Sequence, residues 1–288
     1  MTRPTFDLQS HSTCSDGSLP PAEVVARARA AGVELLALSD HDTVEGVGQA
    51  LATAAALEGI TVVPAVEISA LDGVHDDLHI LGYRIDHTDG ALLEALAAWR
   101  VDRHTRALRM TEALRDEGLE LDLPQAPPSA RPIGRPHIAQ AVLDHPANAG
   151  RLRAEGLSDP GAVLEAYLLP GTPGYRRRTT PTIGEAVAAI HGAGGLAVWA
   201  HPFWDVDDDD DVRATLTRFA AGGMDGVEAF YVTHTCPQTT LLVELARELG
   251  LRTTGSADFH GPLHKRFNAF RAFDLCGHEP DLGPIATP

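Results

Sequence analysis

Asp7-Leu8-Gln9-Ser10-His11-Ser12-Thr13-Cys14-Ser15-Asp16-Gly17 is the stretch whose reading decides the fold of this chain. Thr5–Gln9 is short, apolar and β-friendly, and Ser15-Asp16-Gly17 closes it as a turn, so the spacing predicts a strand feeding a loop. Strand alternation places Gln9 and His11 on one face, and Asp16 folds back toward them from the loop. An imidazole and a carboxylate meeting at a strand end begin a divalent-metal site. Asp40-His41-Asp42 follows the apolar run Leu35–Leu38 in the same manner. Ligand-type residues at successive strand ends are the pattern of an α/β barrel active site.

Working outward, strands are expected at Leu35–Ser39, Thr61–Val66 (ending in Glu67), Leu78–Tyr83, Leu196–Ala200, Gly226–Phe230 and Thr253–Ala257. Helices are expected between them: one capped by Ser18, one over Val44–Glu58, then Ile183–Ala193, a helix to Ala221, and Pro237–Leu249. This rhythm of short β-loop-α units favours a parallel sheet. It breaks between residues 100 and 180, where one long helix or two over Gly90–Gly118, a Pro/Ala-rich linker Leu123–Arg135 and short helices at Pro136–Leu143 and Gly161–Leu169 predict a mostly helical insertion over the barrel mouth. The expected organisation is therefore a first barrel part (1–100), a helical substrate cap (101–180) and a second barrel part (181–288).

The chain has 288 residues, 44% hydrophobic, enough for one barrel-sized core with an insertion. A formal net charge of −17 disfavours a long nucleic-acid partner but admits a small phosphorylated substrate neutralised by metals and local arginines. Cys14, Cys236 and Cys276 form no CxxC pair and suggest no disulfide framework, which fits a reducing cytoplasm. No apolar run is long enough to span a membrane, and no basic-then-apolar leader opens the chain, so a cytoplasmic protein is expected.

Of the 14 histidines, His75, His87, His104, His145, His191, His264 and His278 read as ordinary structural or surface residues. His11, Asp16, His41, Glu67, His201, Asp258 and His260 lie at or just past predicted strand ends, and His79 lies within one. In a barrel those ends share one face. Imidazoles mixed with carboxylates suit Zn, Mn or Fe better than Ca. The set exceeds what one tetrahedral ion needs, so two or three divalent ions with Glu67 bridging are expected, a centre suited to polarising a phosphoryl oxygen and activating water.

At this point the motifs Asp7–Gly17, Ser39–Thr43, Val66-Glu-Ile-Ser69, His79–Tyr83, Gly134-Arg-Pro-His137, Ala200-His-Pro202 and Ser256–His260 come in an order that resembles the PHP (polymerase and histidinol phosphatase) family of metal-dependent phosphoesterases. The branch it looks most similar to is the stand-alone bacterial one, with members acting on nucleoside 3′,5′-bisphosphates, AMP-like nucleotides or short RNA ends. The resemblance implies a distorted (β/α)₇ TIM-like barrel. It also implies hydrolysis of a phosphate monoester of a small nucleotide or related metabolite by a metal-bridging hydroxide. By motif, Glu67, His11 and Asp258 would share one ion, Glu67, His79 and His201 a second, and Asp16, His41 and His260 a third.

Gln9 stands where the family has the first histidine of His-x-His, so as a ligand it would be a weak, neutral oxygen donor, and a dinuclear centre is expected to suffice. Asp42 would orient His41 or its loop. The resemblance places Arg135 and His137 toward the substrate phosphate; Arg177 and His234 are further substrate candidates, and His201 or His137 would protonate the leaving group. Three rivals are a 5′–3′ exonuclease on short oligonucleotides, a metal- or nucleotide-binding module impaired by Gln9, and an amidohydrolase on a similar barrel.

Overall fold

The computed structural model describes residues 4–73, 75, 78–123 and 133–287, which form two compact units, Met1–Leu96 with Pro181–Pro288, and Ala97–Thr180. The first unit carries seven strands: β1 (Phe6–Asp7), β2 (Leu35–Leu38), β3 (Thr61–Ala70), β4 (Leu78–Tyr83), β5 (Leu196–Trp199), β6 (Gly226–Tyr231) and β7 (Arg252–Ser256). They pair in chain order from β1 to β7. The Leu8 N–H donates to the Gly255 carbonyl at 3.1 Å and Ser10 bridges Phe259, which brings the first strand back to the last and nearly closes the barrel.

The expected all-parallel sheet needs a correction. β1, β2 and β3 run parallel, as do β5, β6 and β7, but β4 is antiparallel to both β3 and β5. The connection from Ala70 to Leu78 is too short for a crossover helix, and a parallel neighbour requires one. β3 also runs past Glu67 to Ala70, so Glu67 sits within a strand, opposite Leu81.

Helices α1 (Pro21–Ala30), α2 (Val47–Ala55), α7 (Ile183–Gly192), α8 (Pro202–Asp205), α9 (Asp209–Ala221) and α10 (Cys236–Leu249) belong to the barrel unit. Each of the longer ones turns an apolar stripe inward. Val24, Val25 and Ala28 of α1 pack with Leu36, Leu38 and Val62 of the strands. Thr182 and Thr235 cap α7 and α10 through capping boxes with Glu185 and Gln238. Ser18 does not cap α1: the helix begins behind Pro20, and the Ser18 N–H donates instead to the His260 carbonyl at 2.8 Å.

α3 (Gly90–Asp116) is a single 27-residue helix running from the first unit into the second. The second unit adds α4 (Arg135–Asp144), α5 (Ala149–Ala154) and α6 (Pro160–Tyr167) around a core of its own that includes Met110, Leu114, Ile138, Val142 and Leu152. Most of the expected linker Leu123–Arg135 lies outside the described residues.

The cysteine reading is overturned: Cys236 and Cys276 are joined as a disulfide, with Cα atoms 5.4 Å apart across 40 residues. The bridge ties the start of α10 to the C-terminal tail. No CxxC spacing announces it, because the fold, not the spacing, brings the two together. The expectation of a reducing cytoplasm loses its support, since it rested on unpaired cysteines. Among the described residues no helix is long and apolar enough to cross a membrane.

Candidate metal centre

Glu67 lies at the middle of the site. Its side chain is fully buried, and four histidines face it. His79 Nδ1 is 2.7 Å and His201 Nε2 3.3 Å from Oε1, while His11 Nε2 is 3.1 Å and His41 Nδ1 3.6 Å from Oε2. His11 Nε2 is also 3.1 Å from Asp258 Oδ1. Asp16 faces His41 at 3.6 Å and His260 at 3.4 Å. β1, β2, β3, β4, β5 and β7 or the turns directly after them supply these groups, so the strand ends converge as the barrel geometry requires.

Among the described residues, three sets present donor atoms within 4.8 Å of one another: His11, Asp16, His41 and His260; His41, Glu67 and His79; and His11, Glu67 and Asp258. The third brings together His11, Glu67 and Asp258, and the first adds His11 to Asp16, His41 and His260. The second takes His41, with His201 beside it, 3.4 Å from His79.

The donor set fits divalent cations on two counts. Imidazoles and carboxylates are mixed, as borderline ions prefer. His11 Nε2, His41 Nδ1 and Asp258 Oδ1 are buried and face one another or Glu67 at 3.1–3.6 Å without well-aligned hydrogen bonds, an arrangement that a cation between them would satisfy. The backbone is strained at the same points: Asp42, His201 and Asp258 have φ of 53°, 28° and 52°. Each follows a strand end, and positive φ at non-glycine residues costs of order 1–3 kcal/mol. The surrounding structure therefore overrides local preference to aim these turns.

Electrostatics follow from burial and charge. Burial opposes ionisation of Glu67, but His41 and His79 hold its carboxyl well below the usual range. Asp258 is held at about 2 by His260 and His11 against the same burial. Burial pushes His41 down to about 3, against the facing Glu67 and Asp16 carboxylates. Burial also opposes the imidazolium at His11 and His201, yet Asp258 and Glu67 for the first, and Asp205 and Glu67 for the second, raise both well above the ordinary value.

Further carboxylates shape the loops around the cluster. Asp40 accepts hydrogen bonds from the Ser12 N–H at 2.7 Å, the Ser12 hydroxyl at 2.7 Å and the Ser15 hydroxyl at 2.6 Å, clamping the loop that carries Asp16. Glu228 accepts from the His201 N–H at 3.0 Å and from the Ser256 hydroxyl at 2.6 Å, and burial pushes its carboxyl up to about 8. Asp7 accepts from the Ala257 N–H at 2.9 Å and the Arg271 N–H at 2.7 Å, and burial lifts it to about 7. Asp205 Oδ2 lies 3.5 Å from His201 Nδ1, on the side of the ring away from Glu67. The available signal was a carboxylate inside an otherwise apolar strand, as in Gly226–Tyr231. Asp42 Oδ1 accepts from the Ser69 N–H at 2.9 Å, so it anchors its loop to β3.

Gln9 lies between Glu67 and Ser256. Its Nε2 donates to Glu67 Oε2 at 3.0 Å, and its Oε1 is 3.2 Å from the Ser256 hydroxyl. The orientation is dictated by chemistry: an ionised Glu67 only accepts. His234 packs against Tyr231 and Phe203, and its Nδ1 meets the Ala229 carbonyl at 3.1 Å. Burial lowers it to about 4. Arg135, His137 and Arg177 belong to the helical unit. There the Gly134 N–H donates to His137 Nδ1 at 3.0 Å, which spends that nitrogen on the start of α4. Several histidines given an ordinary role do structural work, such as His191 on Asp225 at 2.8 Å and His278 on Thr240 at 3.0 Å.

Comparison with known proteins agrees with this geometry. A 3′,5′-nucleoside bisphosphate phosphatase of Chromobacterium violaceum is 35% identical, with 98% of this chain and 94% of that protein covered. A 5′–3′ exoribonuclease of Haemophilus influenzae is 33% identical, over 89% of this chain and 90% of its own length. A solved structure from Bifidobacterium adolescentis, described as a metal-dependent phosphoesterase, superposes with a TM-score of 0.73 at 26% identity, covering 96% of this chain and all of the other (100%). The PHP domain model itself matches residues 7–117, the segment that supplies His11, Asp16, His41, Glu67 and His79, and with near full-length relatives on either side the chain belongs to the PHP domain family.

Proposed function

We propose that this PHP-family phosphoesterase hydrolyses a phosphate monoester of a small nucleotide, using two or three divalent ions (Mn, Zn or Fe) held by the cluster around Glu67. One observation carries the reading: Glu67, buried, faces His11, His41, His79 and His201 at once, and Asp258 and Asp16 complete the donor sets. When bound there, such ions would polarise the phosphoryl oxygens and lower the pKa of water. The chain's own residues orient and hold. Asp205 behind His201 Nδ1 leaves Nε2 as the ligand atom, so His201 is a ligand in this reading and the leaving-group proton falls to His137. Arg135, Arg177 and His234 are the proposed substrate contacts, the arginines by paired N–H bonds to phosphate.

Two relatives differ in what their names say they act on, so the deciding experiment compares two substrates under Mn²⁺. Rapid phosphate release from a nucleoside 3′,5′-bisphosphate, with slow shortening of an end-labelled oligoribonucleotide, is the expected result; the reverse order favours the exonuclease reading. The net charge of −17 and the exposed acidic run Asp207–Asp211 repel a long polyanion, which supports the first outcome.

Gln9 is proposed to hold Glu67 in place of binding a cation itself. Gln9→His is then expected to raise saturating Mn²⁺ by about one ion per chain, because an imidazole lone pair replaces an amide whose N–H₂ is turned to Glu67. Metal analysis after gel filtration reads this, and an unchanged ion count would refute it.

A further inference from the structure

The barrel rim beside His260 carries an aromatic surface that the metal cluster does not use. Trp204 of α8 follows His201 by three residues and is 45% exposed, whereas Trp99 and Trp199 are buried at 7% and 0%. The Trp204 backbone N–H donates to the His201 carbonyl at 2.8 Å, in the same turn that aims His201 at Glu67. The Phe267 ring meets it edge-on, with centroids 5.5 Å apart, and the Arg266 guanidinium lies over it at 5.2 Å. Arg266 and Phe267 pack on the ring, and Trp204 still keeps 45% of its surface exposed.

The support under this surface is stiff and leads straight to the proposed ligands. Phe267 touches the rings of His260 at 5.5 Å and Tyr231 at 6.2 Å, and the Tyr231 hydroxyl donates to Asp258 at 2.8 Å. His264 Nδ1 accepts the N–H groups of Phe267 at 2.9 Å and Arg266 at 3.3 Å, folding their turn. The Phe267 carbonyl accepts the His260 N–H at 2.9 Å. A single exposed apolar residue is ordinary on a protein surface. A tryptophan packed by Arg266 and Phe267, one ring away from His260 and two from Asp258, is a prepared flat surface.

We infer that Trp204, backed by Arg266 and Phe267, is the stacking platform for the nucleobase of the substrate. The inference rests on the nucleotide phosphatase reading and names the part of the substrate that the metal centre cannot recognise. A flat π face accepts any base, since stacking does not depend on the hydrogen-bonding edge. The acidic run begins at Asp207, three residues beyond Trp204, and disfavours a further phosphate on that side, so the platform suits one nucleotide better than a strand.

Trp204 is the solvent-exposed tryptophan, so its fluorescence tests this directly in the Mn²⁺-loaded protein. Adenosine 5′-monophosphate is expected to quench the emission saturably, and ribose 5-phosphate, which has the phosphate and no base, to leave it unchanged. In kinetics, Trp204→Ala is expected to lower the ratio of kcat/KM for a nucleoside 3′,5′-bisphosphate to that for ribose 5-phosphate about tenfold. Trp204→Phe, which keeps a flat ring and guards against a folding defect, should retain most of that ratio. An unchanged ratio in Trp204→Ala, equal quenching by both probes, or emission that responds to protein concentration and not to the nucleotide would each overturn the platform. Quenching by the nucleotide without any phosphate release would instead retain the platform and overturn the phosphatase reading.

Discussion

Glu67→Gln is expected to lower kcat/KM at least about 1,000-fold, equivalent to about 4 kcal/mol of transition-state stabilisation. The substitution keeps the shape of the side chain and removes the charge that His11, His41, His79 and His201 all face. Two of the three donor sets lose their shared carboxylate, so bound Mn²⁺ should fall with the activity. The Gln9 amide would also meet an amide where it now meets a carboxylate. Steady-state kinetics paired with metal analysis checks both effects. Near-normal turnover with a full metal complement would show that the centre lies elsewhere.

Removing divalent ions with a chelator is the second large effect. It should abolish turnover, and Mn²⁺ should restore it. Ligand present at about 1,000 times Kd stabilises a fold by about 4 kcal/mol, which for a chain of this size is roughly 10 °C in melting temperature. The sign of the pH dependence follows from His11 and His201. Both are raised well above the ordinary imidazole value in the metal-free cluster, after burial is outweighed by the facing carboxylates. Their proton therefore stabilises the metal-free fold at low pH, and that contribution fades as pH rises through the raised values. A cation must displace the same protons, so it binds better as pH rises. The melting-temperature gain from Mn²⁺ should accordingly be larger at pH 8 than at pH 6. An equal gain at both, by differential scanning fluorimetry, would mean that these two imidazoles are not displaced.

His11, His41, His201 and Asp258 were legible because each stands where an apolar β-rich run stops, and a run that stops at a polar group marks a strand end. The span Leu78–Tyr83 was legible to the residue. The direction of that strand was not: an apolar run has the same period whichever way it points, and only pairing with β3 and β5 sets its sense. The parts played by Asp40 and Glu228 are not written in the local sequence; they come from the N–H and hydroxyl groups that the fold brings to them.

By itself the sequence determined the barrel class, the helical segment interrupting it, and the residue types available at the strand ends, because apolar periodicity and turn chemistry are local properties of the chain. The tertiary structure decided what those residues do. It turned the Gln9 amide toward Glu67, joined Cys236 to Cys276, reversed β4 and set Trp204 beside Phe267 and Arg266. Each depends on which side chains meet across long stretches of chain, and burial, charge and hydrogen-bond direction settle that only once the barrel has closed.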